Sequence, residues 1–240
     1  MKICDLHTHV LPGVDDGAQD LEQALQMLAN ASASDVEFLA LTPHCNTPQV
    51  PLEVLLPVIE NRFRTLQEAA SGIPVTLALG AELRVTQELP ALLRTGSIPT
   101  INGSRYLLTE FPMDFAADLF PEALDAIQNC GYVPLVAHPE RYAAVCRQPE
   151  IVAQWLDMGC HLQLTGGSIL GAYGKKVQQT AAFLLRNDYV ACVASDAHGT
   201  HSRTNYLMDV YDHLTVRCSR QYAKSLLYTN PLRIWQDEIL

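Results

Sequence analysis

The first apolar run of the chain ends in Asp5-Leu6-His7-Thr8-His9. In extended backbone, side chains alternate between two faces, so His7 and His9 point the same way. Two imidazoles on one face of a stiff element are a ready chelate for a metal ion. An isolated His-x-His describes an ordinary surface or core pair equally well. The rest of the chain decides, because metal-capable side chains recur in order: Asp16 in the first loop, then His44, Glu82, Glu110, His138, Asp196 and His198. A mixed nitrogen and oxygen set of this size exceeds one four-coordinate zinc. It suits two or three divalent ions sharing carboxylates, with manganese, iron or zinc favoured over calcium or magnesium. Such sites activate a bridging water and clamp both oxygens of a displacement at phosphorus. Arg141 follows His138 by three residues and Arg203 follows His198 by five. Guanidinium forks grip phosphate oxygens in pairs, so these two arginines are candidates for a phosphate clamp.

The positions gain weight from the elements that carry them. Short apolar runs predict strands at 2–6, 36–41, 75–79, 106–109, 133–137, 161–164 and 189–194. Helical patterns lie between them at 21–32, 52–70, 87–94, 119–129, 149–158 and 175–186, and the tail from Asn205 is mostly helical. Asp20 is placed to cap the first helix, and loops are expected at 11–17 and 48–51. Each predicted strand end except the one at Thr165 carries a His, Asp or Glu of the set. Strands alternating with helices form parallel βα units, and this many units with polar strand ends point to a barrel whose site lies at the carboxyl face. An open doubly wound sheet is the alternative. No G-x-G-x-x-G follows any strand, so dinucleotide binding has no support.

Bulk properties narrow the field. The 240 residues are 48% hydrophobic and 18% charged, enough for a large core and unlike a disordered chain. No linker or change of composition divides them, so one domain over 1–240 is expected. The formal net charge of −10 disfavours sequence-independent nucleic-acid binding. Seven scattered cysteines without a C-x-x-C predict reduced thiols and a cytoplasmic location. None is followed by Arg six positions on, so the loop of cysteine-dependent phosphatases is absent. There is no leader-like N-terminus, and no apolar stretch reaches the roughly 18 residues of a membrane span.

Taken as an ordered set, the motifs resemble the PHP (polymerase and histidinol phosphatase) superfamily, and within it the bacterial tyrosine phosphatases of capsule and exopolysaccharide operons. The matching stretches are Asp5-Leu6-His7-Thr8-His9, Leu11-Pro12-Gly13-Val14-Asp15-Asp16-Gly17, Thr42-Pro43-His44, Gly80-Ala81-Glu82, Glu110-Phe111-Pro112, His138-Pro139-Glu140-Arg141-Tyr142, Thr165-Gly166-Gly167-Ser168 and Ser195-Asp196-Ala197-His198-Gly199. The resemblance implies a distorted seven-stranded (β/α)7 barrel of PHP type with a trinuclear site, usually described with manganese. It implies one ion on His7, His9, Glu82 and Asp196, a second on Glu82, Glu110 and His138, and a third on Asp16, His44 and His198. Arg141 and Arg203 match the family's phosphate-binding arginines. The Asp15-Asp16 pair leaves the ligand register open by one, and Asp16 is preferred for its place before Gly17. Cys45, after His44, is a soft side chain expected to pack. His161, His201 and His213 lie off the pattern.

The expected activity is hydrolysis of phosphotyrosine on proteins by a metal-bridged hydroxide, without a covalent phosphoenzyme. Tyrosinate, with a pKa near ~10, leaves with little acid help; His198 or a water is the candidate acid. The implied substrate is an autophosphorylating bacterial tyrosine kinase that regulates polysaccharide synthesis and export, and the resemblance also allows homo-oligomers. Histidinol phosphate or another small phosphoester is the alternative substrate. A non-catalytic metal-binding module is the third reading, against which the size of the ligand set argues.

Overall fold

The computed structural model describes residues 1–46 and 50–240, so part of the expected loop at 48–51 lies outside the described residues. Two sheets carry the fold, and every strand pair in them is parallel. The first sheet contains β1 (Ile3–Asp5), β2 (Val36–Leu41) and β3 (Thr76–Leu79). The second runs in sequence order through β4 (Glu82–Arg84), β5 (Tyr106–Glu110), β6 (Val133–Ala137), β7 (His161–Thr165) and β8 (Cys192–Ala194). Isolated bridges link the two sheets, Thr8 to Ala197 beyond the ends of β1 and β8 and His44, beyond β2, to Glu82 at the start of β4.

Among the described residues the predicted count of seven strands is corrected to eight, and the ladders do not close into one seven-stranded ring. The third strand is divided at Gly80-Ala81. There the Gly80 N–H still bonds the Leu41 carbonyl, whereas the Glu82 N–H bonds that of Pro43. A Cβ at Gly80 would lie 3.1 Å from Thr42 Cγ2 and 3.4 Å from the Ile101 Cα, so the chain crosses the junction through a gap that only glycine fits easily. Beyond it, Glu82–Arg84 pairs with β5. The last strand is shorter than the predicted 189–194. The helix before it ends in a Schellman closure, with the Tyr189 N–H on the Leu184 carbonyl, the Asp188 N–H on that of Leu185, and Asp188 at φ +57°. That closure takes up Tyr189, while the Ala191 N–H still bonds the Leu162 carbonyl at 2.9 Å just before β8 begins.

Helices cover the outside: α1 (Leu21–Ala33), α2 (Leu52–Ala69), α3 (Leu89–Arg94), α4 (Phe120–Asn129), α5 (Ala143–Arg147), α6 (Val152–Asp157), α7 (Gly166–Leu170), α8 (Lys175–Arg186), α9 (Met208–Arg217), α10 (Arg220–Lys224) and α11 (Asn230–Trp235). Asp20 caps α1 as expected, its carboxylate accepting from the Gln23 N–H at 2.8 Å. Period-two alternation sorts the strand residues into two cores. Ile3, Leu39, Leu107, Val136 and Val193 face the helices. Cys4, Leu6, Ala40, Leu108, Leu135, Ala137 and Cys192 join Trp235 of α11 in a separate inner core. With the inner faces packed on side chains, the polar residues at the carboxyl ends of the strands are left to form the site. All seven cysteines are free thiols. Among the described residues, no helix is long and apolar enough to cross a membrane.

Candidate metal centre

The strand ends converge. Beyond β1, His7 and His9 bring their Nε2 atoms within 3.2 Å of each other, both rings fully buried. The opposite ring nitrogens are occupied. His7 Nδ1–H donates to Gln163 Oε1 at 2.8 Å, and His9 Nδ1–H to Asp15 Oδ2 at 2.7 Å. These acceptors fix the tautomers and aim two bare Nε2 lone pairs at one point. Glu82 and Asp196 face the same point. The His7 Nε2 lies 3.3 Å from Glu82 Oε1 and 3.5 Å from Asp196 Oδ1; the His9 Nε2 lies 3.3 Å from Glu82 Oε2 and 3.6 Å from Asp196 Oδ1. Lone pairs held this close require positive charge between them, as protons or as a cation. The donor chemistry therefore fits a divalent ion.

Glu82 is the hub. Its Oε1 also accepts from His138 Nε2 at 3.1 Å, and its Oε2 lies 3.3 Å from His44 Nδ1. Glu110, on the last residue of β5, stands 3.7 Å from His138 Nε2. On the other side, Asp16 Oδ1 lies 3.8 Å from His44 Nε2 and 3.5 Å from His198 Nε2. Among the described residues three groups have ligand atoms close enough to share an ion: His7, His9 and Glu82; His9, Asp16, His44 and His198; and His44, Glu82 and Glu110. All nine residues singled out from the sequence thus lie in one cluster. The geometric grouping differs in detail from the triads implied by the resemblance. His9 joins the Asp16 group, and His44 rather than His138 stands with Glu82 and Glu110.

The adjacent aspartates occupy different places. Asp15 is buried, accepting from His9 Nδ1 and from the His44 N–H on one oxygen and from the Gly17 N–H on the other. The Asp16 side chain is 64% exposed and faces the cluster from its open side. Gly17 allows the loop to fold back: a Cβ there would lie 1.9 Å from the His9 carbonyl oxygen. The Ala18 N–H then bonds that same carbonyl at 2.9 Å.

Electrostatics follow from this crowding. Burial opposes ionisation of Glu82, but His7 and His138 hold its carboxyl well below the usual range. Burial and then the Glu82 charge push Glu110 up to about 7. Burial alone would lower His9, yet Asp15 and Glu82 raise it to about 10. His198 is pushed down to about 4 by burial and then by His9, so it is neutral at pH 7. Its Nδ1–H donates to the Asp196 carbonyl, leaving only Nε2 free.

Arg141 and Arg203 each donate to the same Asp196 oxygen at 2.9 Å. His138, Asp196 and Arg203 all adopt positive φ, at +36°, +52° and +48°. Left-handed backbone at three non-glycine residues of one cluster is strain that the surrounding packing must hold. Cys45 is fully buried in the outer core, its thiol pushed up to about 12 by burial, and it joins none of the ligand groups. His161 lies against Tyr106 at the start of β7, and His201 is exposed.

Three residues of the site, Asp5, Gln163 and Tyr173, escaped the sequence reading, and Asp15, weighed there as an alternative ligand, takes a supporting place instead. Asp5 stitches the β1–β8 seam, its Oδ1 accepting from the N–H groups of His7 and Ser195. Asp15 and Gln163 hold the two histidines, and Tyr173 stacks on Arg141 with its ring centroid 4.7 Å from Cζ. A buried glutamine between Leu162 and Leu164 was a legible signal, as was an Asp two residues before a turn glycine. Nothing local marks Tyr173.

Fold and site together define a class: a parallel-stranded α/β protein with a carboxylate–imidazole centre and two arginines at the carboxyl ends of its strands. Residues 3–236 match the family described as "Capsular polysaccharide synthesis, CpsB/CapC". The chain belongs to the CpsB/CapC family. It is 30% identical over 243 residues to the tyrosine-protein phosphatase CpsB of Streptococcus pneumoniae, covering 98% of this chain and 99% of that one. It is 29% identical over 208 residues to the tyrosine-protein phosphatase YwqE of Bacillus subtilis, covering 83% and 78%. Among solved structures, one from work on YwqE and CpsB, described as unique metal-dependent tyrosine phosphatases, superposes with a TM-score of 0.89 at 25% identity, over 98% of this chain and 95% of that one. A lactonase from Listeria monocytogenes shares the fold alone, with a TM-score of 0.65 at 9% identity over 98% of this chain and 94% of that one.

Proposed function

We propose that this chain is a metal-dependent phosphomonoesterase that hydrolyses phosphotyrosine on protein substrates. The observation that carries the reading is the convergence of His7, His9, Glu82 and Asp196 on one point, with Arg141 and Arg203 joined on the outer oxygen of Asp196. The curated relatives, named as tyrosine-protein phosphatases, support the substrate. In this reading the domain spans 1–240 as a distorted seven-unit barrel, β3 and β4 being two halves of one strand. The inner core drawn from strands of both sheets supports that architecture.

His7, His9, Asp16, His44, Glu82, Glu110, His138, Asp196 and His198 would hold two to three divalent ions; the mixed imidazole and carboxylate set suits manganese, iron or zinc, and the family resemblance favours manganese. When bound, such ions supply Lewis acidity at phosphorus-bound oxygens and lower the pKa of an attacking water. The chain's own groups do the rest. Glu82 faces four histidines and keeps the ion positions in one rigid unit. Arg141 and Arg203 bind the non-bridging phosphate oxygens and neutralise charge that grows there during displacement. His198 has one free nitrogen, so holding a metal and donating a proton exclude each other; we assign it to the metal. Tyrosinate is a good enough leaving group, at a pKa near ~10, to depart without a dedicated acid.

The physiological substrate in this reading is a phosphotyrosine segment of a bacterial tyrosine kinase that controls polysaccharide synthesis, met in the cytoplasm. The test is a paired assay of manganese-loaded protein with phosphotyrosine peptide and with histidinol phosphate, alongside metal analysis. A kcat/KM at least tenfold higher for the peptide is expected. Preference for histidinol phosphate would replace the reading with a small-molecule phosphatase. Tight metal binding without turnover of even an aryl phosphate would reduce the site to a binding module.

A further inference from the structure

The two arginines do not stand alone over Asp196. Tyr173, in the turn between α7 and α8, lays its ring over the Arg141 guanidinium at 4.7 Å. The other side of that ring's environment is shaped by Gly167, where a Cβ would come within 3.1 Å of Tyr173 Cε2. The second glycine of Thr165-Gly166-Gly167 therefore leaves the room in which the aromatic edge sits. Arg203 donates to Asp196 and its charge reaches the Tyr173 hydroxyl; among the described residues its Nε is buried without a partner. One aromatic residue thus stacks on one cation of the cluster and lies within the field of the other, while each cation spends only part of its donor fork on the aspartate.

A long arginine side chain loses several rotatable bonds when it is fixed on an anion. A guanidinium already stacked on a ring has lost part of that freedom beforehand, which favours capture. We propose that Tyr173 is a positioning residue of the phosphate clamp: by stacking on Arg141 it holds that guanidinium, beside Arg203 on the same Asp196 oxygen, in the geometry that receives a phosphoryl group. This inference rests on the phosphatase reading given above for the activity it would serve, but it concerns anion binding and is tested by that.

The experiment uses the full manganese-loaded chain and inorganic phosphate as probe, measured by titration calorimetry and as a product inhibitor. Tyr173→Phe keeps the ring and is expected to bind phosphate within about threefold of wild type. Tyr173→Ala removes the stack and is expected to weaken phosphate by about 5–30-fold, with KM for phosphotyrosine peptide rising more than kcat falls and metal content unchanged. In an Arg141→Ala background, Tyr173→Ala is expected to add less than about threefold, because the partner it positions is gone. Phosphate affinity of Tyr173→Ala equal to wild type would overturn the inference. So would full additivity with Arg141→Ala, or loss of bound manganese in Tyr173→Ala, since either makes the residue a general support of the fold. If the wild-type chain binds phosphate but does not hydrolyse phosphotyrosine, the functional reading fails and the affinity ratios still decide the role of Tyr173.

Discussion

Replacing Asp15 by alanine tests whether the buried aspartate, which touches no ion position, governs the metal centre. Asp15 fixes the His9 tautomer through a 2.7 Å bond to Nδ1 and also accepts from the N–H groups of Gly17 and His44. Carboxylate partners of ligand histidines are worth about 10–100-fold in metal affinity or activity. At about 1.4 kcal/mol per tenfold, that is about 1.4–2.7 kcal/mol of binding free energy. The variant also strands two backbone donors and one imidazole N–H in a part-buried site. A loss of about 2–4 kcal/mol of stability follows, or roughly 5–15 °C in Tm for a chain of this size. Asp15→Asn should fall between, because one end of the amide can still accept while the other meets a donor. Asp16→Ala, at an exposed side chain that accepts no buried hydrogen bond, should leave the Tm of the metal-free protein within about 2 °C and remove about one ion per chain. The assay is manganese titration with metal analysis, and thermal unfolding of the metal-free protein. If Asp15→Ala kept wild-type manganese affinity and Tm while Asp16→Ala lost both, the assignment of the two aspartates would be reversed.

Other perturbations bear on separate parts of the argument. Arg203→Ala is expected to weaken phosphate capture and turnover by about 10–100-fold with metal content intact; unchanged kcat/KM on phosphotyrosine peptide would remove that residue from the clamp. Gly17→Ala puts a methyl group into the His9 carbonyl, so it should lower Tm by at least about 5 °C and reduce manganese affinity; a wild-type melting curve would show that the loop can relax. Glu140→Gln addresses pH dependence. Burial raises the folded-state pKa of Glu140 from 4.5 to about 7, so the folded chain keeps a proton that the unfolded chain releases. Its contribution is present below about pH 4.5 and is lost as pH rises through about 7, a swing of about 3 kcal/mol. Glutamine should flatten the fall in stability over that window in urea titrations, and an unchanged slope would refute the assignment.

How far the sequence carried depended on whether a feature was local. Period-two apolar runs end where chemistry begins, so the sequence alone places His44, Glu110, His138 and Asp196 at strand ends, whereas Glu82 opens β4 rather than closing β3. The cap at Asp20 and the helix 175–186 were equally legible, because both depend on neighbours in the chain. The division of the third strand was not, since it reflects Thr42 and Ile101 pressing on Gly80 from elsewhere. The same holds for the supports of the site. Gln163 meets His7 across 156 residues and Ser195 meets Asp5 across 190. Such pairs are made by topology, and no spacing rule contains them.

The seam between the first and last strands has a bearing on how the protein is made. His7 and Asp196 are tied by a backbone hydrogen bond, as are His9 and Ala197. His7 and His9 must therefore wait for a partner segment made about 190 residues later before their pocket exists. A chain stalled before residue 196 would emerge without the full centre.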